Sequence, residues 1–180
     1  MPPILVLVAM AAIIVGGYPL AEAVGTPGPA VEGGRVEVGG FAITPPEGWG
    51  VVRQFEELAP GTGAPGVQLG RGQGAALIVG YPNESDPATL LERYVNEVLA
   101  PQAVDARVSD VFQVQGQLGQ GVQQAYIGTF QGVEFPLEGD VTVFVGGTGS
   151  GLVIDGWSGE GQYSRFRDDV HQMAATATEG

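Results

Sequence analysis

Residues 86–101, DPATLLERYVNEVLAP, are the stretch on which the fold class turns. Asp86 has the carboxylate of an N-cap, and Pro87 falls at the first helical position, where its missing N–H costs nothing. Leu90, Leu91, Tyr94, Val95, Val98 and Leu99 recur at a helical period and form one apolar stripe. Glu92, Arg93, Asn96 and Glu97 face away, and Pro101 ends the run. A helix with one apolar face must cover something, and the sequence around it reads as strands.

Upstream, residues 36–38 and 41–43 flank Gly39-Gly40 as a short hairpin or bulged strand. Strands are expected over 51–58, 67–70 and 75–79, with loops at 60–66 and 71–74. Downstream, 108–114, 121–130, 138–145 and 151–157 are strand-like, and the glycine-rich run 146–151 reads as a hairpin turn. A closing helix places Tyr163, Phe166, Val170, Met173, Ala174 and Ala177 on one face. Strands, a helix, more strands and a helix make an α+β order, and the short connections favour antiparallel pairing. The residues thus predict an antiparallel β-sheet covered on one side by the helix at 86–99, preceded by an N-terminal apolar helix.

Composition narrows function. The chain has 180 residues, of which 44% are hydrophobic and only 15% charged, with twenty Asp plus Glu against seven basic residues, a net charge of −13. All seven basic residues are Arg, and they are dispersed. Such a chain offers no basic face to displace counterions from nucleic acid or to meet anionic lipid. The acidity favours a soluble monomer. The absence of cysteine excludes disulfides, thiol catalysis and thiolate metal sites.

Residues 4–15 are all apolar, and the uncharged run 4–21 would span roughly 27 Å as a helix. Residues 1–22 are therefore expected to form a transmembrane anchor or a signal peptide, with Ala21-Glu22-Ala23 as the site of cleavage. Residues 23–34 read as a Pro/Gly linker and 35–180 as the folded domain. Either reading places the domain outside the cytoplasm: held at the cell membrane by a single pass, or secreted after cleavage near Ala23.

The element order has a likeness. Residues 39–49, GGFAITPPEGW, run from a strand into a Pro/Gly turn and a Trp. With the helix at 86–99, the paired strands of 121–158 and the closing helix at 163–174, this pattern resembles the PsbP-like superfamily, which includes the exported LpqN-type actinobacterial proteins. The resemblance spans about residues 35–177. It implies a central antiparallel β-sheet flanked by helices, an α/β/α sandwich, and an accessory or adaptor role rather than a shared active site. The chain departs from the LpqN pattern in lacking the lipobox cysteine, which leaves anchoring to the apolar N-terminus.

Chemistry-bearing motifs are sparse. The glycine runs 70–74 and 146–151 lie between strands with no following helix or Lys, so they read as turns rather than phosphate loops. His171, three residues after Asp168, projects from the edge of its helix and reads as solvated. Glu56, Glu57, Asp140, Asp155, Asp168 and Asp169 read as solvated acids, with no calcium-loop spacing among them. Trp49 and Trp157 are the candidate ligand-binding residues, as aromatics that line a groove. No catalytic residue, cofactor or metal is implied. The expected function is a non-enzymatic, membrane-tethered accessory domain that binds a protein partner of the cell envelope. One alternative is a domain binding a small apolar ligand between the sheet and the helix at 86–99; the other is a carboxylate-dependent hydrolase.

Overall fold

The computed structural model describes residues 34–180 apart from Pro60. The anchor or signal peptide expected over 1–22 and nearly all of the linker expected over 23–34 lie outside the described residues. Among the described residues, no helix is long and apolar enough to cross a membrane.

Among the described residues there are eleven strands and two α-helices: β1 (Val36–Val38), β2 (Phe41–Ile43), β3 (Gly50–Phe55), β4 (Gly66–Arg71), β5 (Gly74–Tyr81), α1 (Pro87–Tyr94), β6 (Ala103–Val108), β7 (Phe112–Gly116), β8 (Gly119–Phe130), β9 (Leu137–Val145), β10 (Gly151–Gly159), α2 (Arg167–Thr176) and β11 (Thr178–Glu179). The large sheet is antiparallel throughout, in the order β3-β4-β5-β10-β9-β8-β6, with β7 also on β8. Its seam is the pairing of β5 with β10, which joins strands far apart in the chain (Val79 opposite Val153). The α+β class and the antiparallel sheet between helices are as the sequence led us to expect.

Two cores follow from strand alternation. On one face α1 lays Leu90, Leu91 and Tyr94 over Leu77, Val141, Val143 and Val153, with Trp157 fully buried among them. On the other, α2 sets Val170, Met173 and Ala174 over Leu69, Ile78, Leu152 and Ile154. The small sheet β1-β2-β11 closes the same side, adding Phe41 and Ile43 to that core. Helix, sheet and helix thus form three layers. Gly39 and Gly80 allow the hairpin to press on β5: a Cβ on Gly39 would stand 2.5 Å from the Gly80 Cα, and Gly39 has φ +56°.

Several boundaries differ from expectation: β3 ends at Phe55 rather than at 58, β6 begins at Ala103, ahead of the strand expected from 108, and β11 had no expected counterpart. The helix begins as expected, with Asp86 accepting from the Thr89 N–H at 2.7 Å, but α1 gives way to a π-turn (Val95–Leu99) and a 3-10 turn (Ala100–Gln102). The wider turn keeps both Val98 and Leu99 buried. The closing helix likewise starts as a 3-10 turn (Tyr163–Arg165) before α2. The strand expected over 108–114 is two strands. From Val108↔Tyr126 to Phe112↔Gln123 the edge advances four residues while β8 advances three, a bulge with Ser109 Oγ accepting from the Ala125 N–H at 3.0 Å.

Candidate functional site

Directly paired residues share a face, so the α2 side of β8 carries Gln123, Ala125 and Ile127, and that of β9 carries Glu138, Asp140 and Thr142. This half of the sheet is polar, unlike the apolar half under α2. The helix leaves it open. The result is a groove of about 720 Å³ floored by β8 and β9. Arg167, Asp168 and His171 of α2 form one wall; Arg107, Ser109 and Phe112 of the bulged edge form the other. The bulge matters for Phe112. Val108 and Phe112 would share a face on a regular strand, but the extra residue turns Phe112 to the groove side, opposite Gln123.

At the floor Asp140 is buried, at 4% exposure, and its Oδ2 stands 2.8 Å from His171 Nε2. The imidazole N–H donates to that carboxylate oxygen. The Gln123 amide lies 2.8 Å from the same ring nitrogen and 3.0 Å from Thr142 Oγ1. With Nε2–H aimed at Asp140, the amide oxygen, rather than its nitrogen, faces the ring. The other oxygen of Asp140, Oδ1, is buried, as is the Tyr163 hydroxyl beside it. Burial holds the Tyr163 pKa well above its ordinary value, and the charge of Asp140 adds to the effect. A side-chain hydrogen bond between the two groups adds to that rise. A smaller pocket of about 280 Å³ continues past Gln123 and His171 toward Val114 and Ala174.

These placements correct the reading of Asp140 and Asp155 as solvated, whereas the His171 side chain, 39% exposed, does reach solvent at the helix edge. His171 is paired across space with Asp140, not along its helix with Asp168. Asp155 is fully buried on the α1 face, where its carboxylate accepts from the Tyr94 hydroxyl at 2.8 Å and the Tyr126 hydroxyl at 2.9 Å. Burial is the largest influence on it and pushes its pKa up to about 7, against the lowering effect of the two tyrosine hydrogen bonds. One signal was in the sequence: Glu138, Asp140 and Thr142 alternate with Leu137, Val141 and Val143, marking one polar face of a strand. What they face needed the register of β8, β9 and α2.

The two tryptophans do not share a groove. Trp49 is 3% exposed in the α2-side core, donating its indole N–H to Asp169 Oδ2 at 2.9 Å, with Phe166 edge-on at 6.4 Å. Trp157 is buried in the α1-side core. The space between α1 and the sheet, where an apolar ligand was one alternative, is occupied by Leu90, Leu91 and Tyr94 themselves. Among the described residues, no cluster of three His, Asp or Glu side chains is placed to hold a metal ion.

A solution structure of cyanobacterial PsbP (CyanoP) from Synechocystis sp. PCC 6803 superposes on this chain with a TM-score of 0.56, covering 78% of this chain and 87% of that one. The fold is PsbP-like. Sequence identity over that match is 13%, so the likeness carries the PsbP-like arrangement of the backbone and none of the groove's side chains. The crystal structure of LpqN, involved in cell envelope biogenesis of Mycobacterium tuberculosis, matches at a TM-score of 0.48 and 13% identity, covering 77% of this chain and 82% of that one. No family profile matches the sequence, and neither does any curated protein.

Proposed function

We propose that this chain is a non-enzymatic accessory domain, tethered at the outer side of the cell membrane by its apolar N-terminus, which docks a protein partner along the bulged β6–β7 edge. One observation carries the reading. Of the six large hydrophobic residues exposed among the described residues, five (Val104, Val108, Val111, Phe112 and Ile127) lie on that edge or on β8 beside it. Phe112 and Ile127 stand on the groove side of that edge and Val108 on its other face, so a partner gripping the edge meets apolar surface from both sides. The edge strand β6 also leaves one side of its backbone open for an added strand. A hydrolase would need an acid and a base free to act on one substrate. Here Glu138 accepts from the Gly161 N–H at 3.0 Å and Asp140 holds His171, so both floor acids have structural tasks.

The test is site-specific photocrosslinking in cells that make the full chain. A benzophenone side chain in place of Phe112 is expected to capture one discrete protein. The same probe in place of Glu92, exposed on α1, is expected to capture none. Equal capture from both positions, or none from position 112, overturns the docking reading. Retention of the chain in membranes through an alkaline carbonate wash tests the tether separately; release into the wash favours cleavage near Ala23.

A further inference from the structure

Strand β6 is a bare sheet edge, and its residues are self-complementary. Val104, Asp105, Ala106, Arg107 and Val108 are all exposed. Counted outward from Ala106, Asp105 balances Arg107 and Val104 balances Val108. Neither Asp105 nor Arg107 takes part in an ion pair among the described residues. The backbone of this window faces outward as well. The Ser109 N–H donates inward to the Ala125 carbonyl at 2.9 Å, and Arg107 stands opposite Ile127 on β8. In an antiparallel ladder, alternate residues turn both N–H and C=O to the same neighbour. Ser109 and Arg107 therefore bond toward β8, while Val108 and Ala106 present their N–H and C=O to the open side. Register shifts between Ala103 and Asp105 and between Val108 and Phe112 bracket the window and limit how far an added strand could slide along it.

We propose that this edge joins a second copy of the chain, the two β6 strands pairing antiparallel about a twofold axis at Ala106. Asp105 of each copy then stands opposite Arg107 of the other, and Val104 opposite Val108. Each Ala106 exchanges backbone hydrogen bonds with its counterpart. The Asp105–Arg107 pairs consequently fall at the closely spaced, non-hydrogen-bonded positions, where side chains on one face meet most directly. Both charged residues lie on the groove face, since Arg107 pairs with Ile127 and Asp105 with Thr129. Neighbouring registers are penalised: a twofold axis at Asp105 or at Arg107 sets like charges opposite each other. The net charge of −13 on each copy opposes association, but salt screens it beyond ~8 Å, whereas the two ion pairs are in contact. An unrelated strand could take the backbone bonds but would have to supply this charge order anew. The proposal names a second copy as the occupant of the β6 part of the docking edge, and in that it rests on the docking reading.

The experiment follows the full chain in mild detergent by sedimentation velocity over a range of concentrations. A dimer is expected. Asp105→Arg and Arg107→Asp each turn two opposite-charge pairs into like-charge pairs and are expected to weaken dimerisation roughly tenfold or more. The double variant Asp105→Arg/Arg107→Asp restores opposite charges in the same register and is expected to recover the dimer. Both positions are exposed, so the fold does not depend on them. A second measurement uses the absence of cysteine in the chain. Under mild oxidation of intact cells, Ala106→Cys is expected to give a disulfide-linked dimer of the chain, because residues directly opposite lie within disulfide reach. Glu92→Cys, exposed on α1, is expected to give none. A monomer at every concentration, a dimer indifferent to the single charge reversals, or a loss that the double variant does not repair overturns the proposal. So does equal crosslinking from positions 106 and 92. The two readings fail separately: a monomeric chain whose position 112 still captures a different protein keeps the docking reading and sinks the self-pairing, whereas no capture from position 112 sinks the docking reading.

Discussion

Replacing Asp155 by Asn should change how the stability of this domain depends on pH. The native carboxyl is fully buried, its ordinary pKa is 3.8, and in the fold it rises to about 7. The folded state therefore holds the proton more tightly than the unfolded chain. The stability that goes with this is fully present below about pH 4 and is lost as pH climbs toward 7. The gap between 3.8 and about 7, at ~1.4 kcal/mol per pH unit, comes to about 4 kcal/mol. Asparagine has nearly the same shape and does not ionise. Its oxygen can accept from one tyrosine hydroxyl while its amide donates to the other. The variant is expected to lie within about 1 kcal/mol of the native protein at pH 4. By pH 8 it should be the more stable by about 3 kcal/mol, the ~4 kcal/mol less the weaker hydrogen bonds. Urea unfolding of both proteins from pH 4 to 8, followed by tryptophan fluorescence, gives the difference at each pH. Taking the difference removes every other titrating group. A difference that stays flat from pH 4 to 8 refutes the reasoning: the carboxyl would not then be changing its charge in that range.

Two further outcomes test how the layers are joined. Trp49→Phe deletes the indole donor to Asp169 and is expected to cost about 2–4 kcal/mol in urea unfolding; a loss under about 0.5 kcal/mol would mean that the N–H needs no acceptor there. Gly80→Ala pushes a methyl against the Gly39 backbone, where the two chains already touch, and is expected to cost about 3 kcal/mol. Gly72→Ala, with φ +58° but open space around it, is expected to cost only about 1 kcal/mol; equal losses in the two variants would show that the hairpin does not depend on close approach.

The parts of the fold that were legible from sequence are those specified locally. Asp86 and Pro87 start α1 because a cap and a fixed φ act within one turn, and Leu90, Leu91 and Tyr94 bury because a stripe needs no knowledge of its partner. The bulge at 109–111 was illegible because alternation continues on either side of it, so the one extra residue shows only against β8. Asp155 had a local signal, a single acid inside the apolar run GLVIDGW, which marks a buried charge with partners. The partners, Tyr94 and Tyr126, come from other elements. The groove was illegible for the same reason at larger scale. His171 and Asp140 meet only once β9 and α2 are stacked, and helix-edge geometry on its own pointed His171 at water.

The seam between β5 and β10 bears on how the molecule comes to exist. Everything on the far side of it, β8 through β10, forms from neighbouring hairpins, whereas closing the seam requires residues around 79 to find residues around 153. Contacts so distant along the chain slow folding, because a long loop must close before any of them forms. A chain emerging amino end first presents β5, apolar along its whole length, with one edge bare until β10 arrives. For that interval β5 is a sticky template exposed to other chains, and the late C-terminal half is what shields it.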